Sequence, residues 1–236
     1  MADSETQPQE APRRRTAALL FGGAMMAILI VMVAVIALGG DDEEPEEEAA
    51  SVVCKPVEGD GGTEECPTEV VTEPADVAVT TSEGDFTITL DVEASPATTT
   101  SFRTLVENGF YDGLNFHRVV PDFVIQGGDP FGDDPQKAGS GGPGYYVDEE
   151  VPEGTVYEPG TVAMAKTATD PPGRSGSQFF VVSGPGGQQL PPEYAFVGTV
   201  SSGMETVDAI DALGRGDGPP SKPVTIESMT LAPASA

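Results

Sequence analysis

The sequence predicts a mainly β protein in which a closed or nearly closed antiparallel sheet is capped by two α-helices. Two observations lead to this prediction. Short apolar segments that alternate with period two recur between residues 76 and 231, whereas only two segments have the apolar spacing of a helix. Residues 76–236 suffice for one domain of ordinary size, and residues 1–75 have a different composition.

The N-terminus has the pattern of a membrane anchor. Residues 1–16 are polar and end in three arginines, Arg13–Arg15, and residues 17–38 contain no charged side chain. An apolar run of this length spans a bilayer as a helix. Because an acidic segment follows the run, the positive-inside rule places residues 1–16 in the cytoplasm and everything after residue 38 outside the cell membrane.

A cleaved signal peptide is the alternative interpretation of this segment. Residues 37–39 form a passable small-x-small cleavage site. The apolar run exceeds the usual length of a signal-peptide core, however, and this favours an uncleaved single-pass anchor.

Residues 39–75 have the composition of a disordered acidic linker. They are rich in Glu, Gly, Pro and Thr and lack apolar periodicity, so they cannot bury enough surface to fold alone. The two cysteines of the chain, Cys54 and Cys66, both lie in this segment. Outside the cytoplasm such a pair predicts a disulfide, with two free thiols as the alternative. Two cysteines without histidine are too few ligands for a metal site.

The chain is strongly acidic. Asp and Glu outnumber Lys and Arg by 39 to 11, which gives a formal net charge of -28. Because so few cations are available to neutralise phosphates, this composition argues against a nucleic-acid partner. The acidity favours solubility and self-repulsion and says little about a substrate.

The folded domain is predicted to begin near residue 76 with a hairpin and a helix. Alternating apolar residues between positions 77 and 90, interrupted by a polar turn at 82–85, indicate two antiparallel strands. The Ser-Pro pair at 95–96 is typical of a helix start, and the Asn-Gly pair at 108–109 is typical of its end. The later predicted elements are strands at 161–165, 178–182, 194–200 and 224–231 and a helix at 204–213.

Two polar side chains lie among the apolar residues of segment 116–130. Two apolar runs, broken at residues 121–122 and closed by two glycines, predict short strands with sharp turns. Period two places Arg118 on the same face as Phe116. A cation and the Gln126 amide in these surroundings indicate a functional site, and the alternative is an ordinary hairpin with a surface arginine.

Five motifs follow one another in the predicted domain. They are Phe116-His117-Arg118 with Phe123, Gln126-Gly127-Gly128-Asp129, Met164-Ala165, Gly176-Ser177-Gln178-Phe179-Phe180, and Phe196-x-Gly198. In order and spacing they resemble the cyclophilin-type peptidyl-prolyl isomerases, and the resemblance covers residues 76–231. It implies an eight-stranded antiparallel closed barrel capped by two helices, and an isomerase that needs no cofactor or metal. Proline-containing polypeptides are the implied substrates.

The N-terminal anchor resembles that of membrane-attached bacterial members of this family. We therefore expect an enzyme of the cell membrane that assists the folding of exported proteins. We also expect the protein to be monomeric.

The chemistry that the resemblance implies is rotation about an X-Pro peptide bond. Amide resonance sets a barrier of about 18–20 kcal/mol, and exchange at X-Pro bonds takes tens to hundreds of seconds. In the twisted transition state the prolyl nitrogen becomes pyramidal and gains a lone pair. A donor aimed at that nitrogen binds the transition state better than the planar ground state. Arg118 matches the catalytic arginine of the family and is the expected donor.

The resemblance also assigns a binding surface. Gln126 is expected to hold a substrate carbonyl and to position Arg118, and Gln178 to face a neighbouring subsite. For Phe123 and Phe180, plain core packing is the alternative. The only histidine, His117, is expected to be structural because the reaction moves no proton. The remaining residues expected to bind substrate are Phe123, Val124, Phe180 and Leu190 around the proline ring, Ala165 and Lys166 along the peptide backbone, and Tyr194 at the rim.

The chain departs from the family pattern at several positions. Gln189 stands where many cyclophilins have a tryptophan, Tyr194 replaces a histidine, and Lys166 replaces an asparagine. We therefore expect only weak binding of cyclosporin. A non-catalytic module that binds proline peptides or acts as a chaperone through the same groove is the alternative function. Arg118 favours the enzyme, because binding alone would not need it.

Overall fold

The computed structural model describes residues 51–234, which contain eleven strands, two α-helices and one short 3-10 helix. The strands are β1 (Cys54–Pro56), β2 (Ala75–Thr81), β3 (Gly84–Leu90), β4 (Arg118–Val120), β5 (Val124–Gly127), β6 (Tyr145–Asp148), β7 (Thr161–Met164), β8 (Arg174–Ser175), β9 (Phe179–Val182), β10 (Phe196–Ser202) and β11 (Ile226–Pro233). The helices are α1 (Pro96–Glu107), α2 (Met204–Asp211) and the 3-10 helix Pro185–Gln189.

Eight strands form one antiparallel sheet in the order β11-β2-β3-β10-β7-β9-β5-β4. The main hydrophobic core joins the sheet to both helices, with α1 contributing Phe102 and Leu105 and α2 contributing Val207 and Ile210. The structure therefore confirms the mainly β prediction with two helices. Strands β1, β6 and β8 form a second, smaller sheet in the order β1-β6-β8.

The sheet is open, so the prediction of a closed barrel is wrong. Its end strands, β11 and β4, form no ladder with each other. Strand β4 has three residues, and its central Val119 donates its N–H to Gly218, in the loop before β11, at 2.8 Å. A single bridge between Asn115 and Thr225 and a few neighbouring backbone hydrogen bonds connect the two ends. These bonds join residues 113–116, which precede β4, to residues 224–226, and they do not extend into a ladder between the two strands.

The hairpin and first helix have the predicted form. Strands β2 and β3 pair in register from Asp76 opposite Thr89 to Thr81 opposite Gly84. Helix α1 has Ser95 as its N-cap residue and proline at its start, and it buries Phe102, Leu105 and Val106 at the spacing of one helical face. Local sequence patterns therefore suffice for these elements, because period and end signals are both present.

The predicted linker is folded from residue 51 onward, which corrects its predicted extent. Strand β1 pairs with β6, and Val52 and Val70 pack against Tyr145 and Val147 of the domain. Residues 51–75 cannot form a core by themselves, but they bury apolar side chains on a surface that the domain supplies. The structure joins Cys54 to Cys66 in a disulfide within this segment.

The N-terminal predictions concern residues outside the described range. They are the cytoplasmic tail 1–16, the transmembrane helix 17–38 and the first part of the acidic linker, 39–50. Within residues 51–234, none of the helices has the length and apolar character needed to cross a bilayer.

Candidate active site

Arg118 and Gln126 face each other across the hairpin formed by β4 and β5. They are directly opposed in the strand register, and Arg118 Nη1 donates to Gln126 Oε1 at 3.1 Å. Val119 and Ile125 point into the main core, so Arg118 and Gln126 occupy the opposite face. Phe116 is buried in that core, which contradicts the predicted sharing of a face with Arg118. The reason is that β4 begins only at Arg118, so the alternation does not extend back to Phe116.

A pocket of about 330 Å³ opens beside this pair. Every residue that lines it is one for which the sequence predicts a role in catalysis or substrate binding. Gln178 is the one predicted residue that does not line it, and it lines an adjacent pocket instead. The structure brings these residues to one pocket. Their roles in catalysis and substrate binding stay predictions. The lining residues are Arg118, Phe123, Val124, Gln126, Ala165, Lys166, Phe180, Leu190 and Tyr194.

Strand β9 is buried on both faces, and this builds the pocket wall. Phe179 and Val181 belong to the main core, whereas Phe180 and Val182 belong to a second cluster on the pocket side. The Phe180 ring meets the Tyr194 ring edge-on, with 5.3 Å between centroids. Phe180 is therefore a packed residue and a pocket residue at once, so the two alternatives for it are not exclusive.

Tyr157 supports this pocket and was missed by sequence reasoning. Its side chain is fully buried, its hydroxyl donates to the Tyr194 carbonyl at 2.8 Å, and the Tyr194 N–H donates back to it at 2.9 Å. Burial raises the pKa of the Tyr157 hydroxyl, so it remains a neutral donor. It lies in a segment without strand or helix periodicity, so no local pattern marked it.

The Lys166 ammonium is bound within the protein. It lies 2.9 Å from a carboxylate oxygen of Glu193, with its side chain only 4% exposed, and it sits 5.5 Å from the centre of the Tyr194 ring. The cation therefore links two residues beside the pocket and is not a free charge in the groove.

A chain of hydrogen bonds orients the Gln126 amide. Gln126 Nε2 donates to Gln178 Oε1 at 3.0 Å, and Gln178 Nε2 donates to the Gly141 carbonyl at 2.9 Å. Because its amino group is engaged by Gln178, Gln126 must direct its oxygen toward Arg118. The two glutamines thus fix one side of the guanidinium.

Asp217 fixes the other side of the guanidinium and was also missed. Its carboxylate accepts hydrogen bonds from Arg118 Nε at 2.5 Å and from Nη2 at 3.1 Å. The Arg118 guanidinium lowers the pKa of the Asp217 carboxyl through this hydrogen bond. Asp217 lies in a loop between α2 and β11, where no sequence pattern connected it to Arg118.

His117 is buried beside Arg118 and takes no part in this network. Its side chain is 8% exposed, and neither ring nitrogen has a hydrogen-bond partner among the described residues. Burial is the main cause that lowers its pKa, the Arg118 charge lowers it further, and the Asp129 charge acts in the opposite direction. The imidazole is therefore neutral at neutral pH.

Comparison with known families assigns the domain. The model of the family described as "Cyclophilin type peptidyl-prolyl cis-trans isomerase/CLD" matches residues 76–231. A solved cyclophilin-type peptidyl-prolyl cis-trans isomerase from Cryptosporidium parvum superposes with a TM-score of 0.61 at 28% identity, covering 69% of this chain and 99% of that one. The chain belongs to the cyclophilin-type peptidyl-prolyl isomerase family.

Several bacterial relatives are similar in sequence. "Probable peptidyl-prolyl cis-trans isomerase B" of Mycobacterium leprae is 37% identical over 185 residues, which cover 69% of this chain and 59% of that protein. Peptidyl-prolyl cis-trans isomerase B of Bacillus subtilis is 44% identical over 115 residues, covering 48% of this chain and 73% of that protein. The chain thus spans less than two thirds of the mycobacterial relative.

Proposed function

We propose that this protein catalyses the cis-trans isomerisation of X-Pro bonds in exported polypeptides. The observation that carries the proposal is an oriented arginine at the edge of an apolar pocket. Of the five N–H groups of a guanidinium, Arg118 uses three, two toward Asp217 and one toward Gln126. Two N–H groups therefore remain as donors for a substrate, on a side chain whose plane is fixed.

The pocket and the arginine suit the transition state of bond rotation. Phe123, Phe180 and Leu190 offer an apolar surface for a proline ring, which would hold one side of the bond while the other side turns. A remaining Arg118 N–H would then donate to the prolyl nitrogen as its lone pair appears. This interaction is stronger in the twisted state than in the planar one, which is the condition for catalysis. Rotation needs no proton transfer.

The solved relatives support the substrate class. The Cryptosporidium protein was also crystallised in the presence of the dipeptide Ala-Pro, and that structure is 29% identical to this chain with a TM-score of 0.59. We extend this to proline-containing polypeptides as the substrates of the chain described here.

The proposed location is the outer side of the cell membrane, with residues 17–38 as the anchor and residues 1–16 in the cytoplasm. The arginines before the apolar run support this orientation. The disulfide between Cys54 and Cys66 supports it independently, because disulfides persist in oxidising compartments and are rare in the cytosol.

Exchange spectroscopy by NMR on a short X-Pro peptide tests the proposal. The full chain, kept in a mild detergent, is added in catalytic amounts, and the cis-trans exchange rate should rise in proportion to its concentration. Peptide resonances that shift on binding without faster exchange would instead support the non-catalytic binding module and overturn the proposed activity.

A further inference from the structure

A second pocket of about 380 Å³ continues the groove beyond the proline pocket. Gln126, Ala165 and Lys166 line both pockets, so a peptide that leaves the first passes directly into the second. Part of the second wall is formed by Val57 and Asp60. These two residues belong to the segment that the disulfide closes, outside the family match at 76–231.

Asp60 connects this segment to the opposite wall. Its carboxylate is 8% exposed and accepts hydrogen bonds from the Gly144 N–H at 2.9 Å and from the Gly62 N–H at 3.1 Å. Its backbone carbonyl accepts a further bond from the Gly142 N–H at 2.9 Å. Asp60 therefore binds the glycine-rich loop that forms one side of the pocket, residues 139–144, through its carboxylate at Gly144 and through its backbone carbonyl at Gly142.

Backbone contacts on both sides of Asp60 reinforce this attachment. The Val57 N–H donates to the Gly144 carbonyl at 2.8 Å, and the Glu64 N–H donates to the Pro143 carbonyl at 2.9 Å. All of these donors and acceptors on the N-terminal side lie between Cys54 and Cys66. The disulfide closes a short loop and restricts its alternative conformations, so it keeps these groups in position.

The charged groups that line the second pocket already have partners. Arg174 Nε donates to Asp148 at 2.8 Å, and the guanidinium stacks 3.7 Å above the Tyr146 ring. Asp170 accepts from the Thr167 N–H at 3.0 Å, Lys166 is paired with Glu193, and the Asp60 carboxylate binds backbone amides. A charged substrate side chain would lose its hydration without gaining a free counter-charge here. An uncharged side chain enters this pocket without that cost.

We infer that the disulfide-closed segment 54–66 is a specificity-determining wall of this groove, and that with it the second pocket selects an uncharged side chain flanking the X-Pro bond. The inference rests on the proposed isomerase function. Asp60 acts as a positioning residue for the glycine-rich loop, and the disulfide holds Asp60.

Peptides of two lengths separate this role from general stabilisation. A capped Ala-Pro dipeptide fills only the proline pocket, and a capped hexapeptide with glutamines flanking Ala-Pro also reaches the second pocket. In Asp60→Asn, and in the Cys54→Ser/Cys66→Ser double variant, kcat/KM for the hexapeptide should fall roughly five- to tenfold through lost hydrogen bonds. The dipeptide should change by less than about twofold, as for a remote surface substitution.

A hexapeptide with glutamates in place of the glutamines tests the selection itself. The wild-type chain should prefer the glutamine peptide, and both variants should lose most of that preference. Glu58→Gln is the matched control, because Glu58 is exposed in the same loop and loses the same charge. It should behave as the wild type with every peptide.

The outcomes distinguish the two proposals. Equal losses on the dipeptide and the hexapeptide, or no loss on either, would overturn the specificity role while leaving the isomerase function in place. A wild-type chain that accelerates neither peptide would overturn the proposed function, and with it this inference. If the cysteine variant does not fold, Asp60→Asn and the reduced wild-type chain still decide the question.

Discussion

The Asp217 carboxylate accepts two hydrogen bonds from the Arg118 guanidinium, although the two residues are 99 positions apart in the chain. A bidentate carboxylate fixes the plane of a guanidinium, which a single contact cannot do. The side chain of Asp217 is 69% exposed and that of Arg118 is 29% exposed, so the pair lies at the mouth of the groove. The direction of the free Arg118 N–H groups therefore depends on a loop that precedes β11.

Asp217→Asn should lower kcat/KM by on the order of tenfold, less than the hundredfold that a displacement of about 1 Å can cause. The amide offers one acceptor where the carboxylate offers two, so the guanidinium plane is no longer fixed. Peptide affinity should hardly change, since Asp217 does not line the pocket. NMR exchange rates and peptide titrations measure the two quantities separately.

Asp217→Glu should recover part of the rate, because a bidentate carboxylate is retained. Asp208→Asn is the control, since Asp208 is exposed on α2 and loses the same charge. A rate that rises in Asp217→Asn would show that the carboxylate weakens Arg118 as a donor and does not position it.

Arg118→Ala should lower the isomerisation rate by on the order of 10²–10³, as the loss of an oxyanion-type donor does. The fold should persist, because Arg118 lies outside the main core. Exchange rates and thermal unfolding would be recorded for both proteins. Arg215→Ala, at an exposed arginine near Asp217, serves as the control. Unchanged exchange in Arg118→Ala would remove the assignment of catalysis to this site.

The free energy of unfolding should decrease as the pH falls below about 6.5, the ordinary pKa of histidine. The pKa of His117 is lowered in the folded protein, chiefly by burial, so the unfolded chain binds the proton first. The free energy of unfolding therefore rises with pH through this window. The contribution of His117 is fully present above the pKa that its side chain has in the unfolded chain. Asp148 and Asp217 also have lowered pKa values, but from an ordinary value of 3.8, so their contributions are lost only in stronger acid.

Denaturant unfolding at pH 7.5 and pH 5.5 measures this effect, and the test variant is His117→Leu. The variant should show a smaller loss between the two pH values, because leucine does not titrate. At neutral pH it should be at least as stable as the wild type, since no hydrogen bond to the ring is lost among the described residues. An identical pH dependence in both proteins would contradict the role of His117.

Protease added to intact cells should release the domain and leave an N-terminal fragment in the membrane. The expectation follows from the arginines before residues 17–38 and from the uncharged run itself. A chain protected until the cells are opened would contradict the orientation. A domain found free in the medium without protease would indicate signal cleavage instead.

Cyclosporin should bind at least roughly tenfold more weakly than to family members that have a tryptophan at the position of Gln189, because a buried aromatic anchor is often worth about 2 kcal/mol. Gln189 is exposed at the end of the 3-10 helix, directly before the pocket residue Leu190. Glutamine lacks the rigid apolar face of an indole and loses rotamer freedom on binding. Calorimetric titration of wild type and Gln189→Trp should show partial recovery in the variant, whereas tight binding by the wild type would refute the argument.

Much of the domain could be predicted from local sequence. Period-two alternation and turn residues predicted the β2–β3 hairpin, and end signals with apolar spacing predicted α1. The family motifs predicted which residues would surround Arg118, and the structure brings them to one pocket. These features depend on patterns within a few residues, or on motifs whose order is fixed by the fold.

The mainly β class, the family and the residues that line the pocket beside Arg118 therefore follow from the sequence, because periodicity and motif order are written along the chain. Three-dimensional packing alone shows that the sheet stays open, that residues 51–75 fold onto the domain, and that Asp217 and Tyr157 hold the site. These features join segments that are distant in sequence. Each depends on how closely two surfaces pack and on whether each buried hydrogen-bonding group finds a partner. Neither property can be recognised in a local sequence pattern.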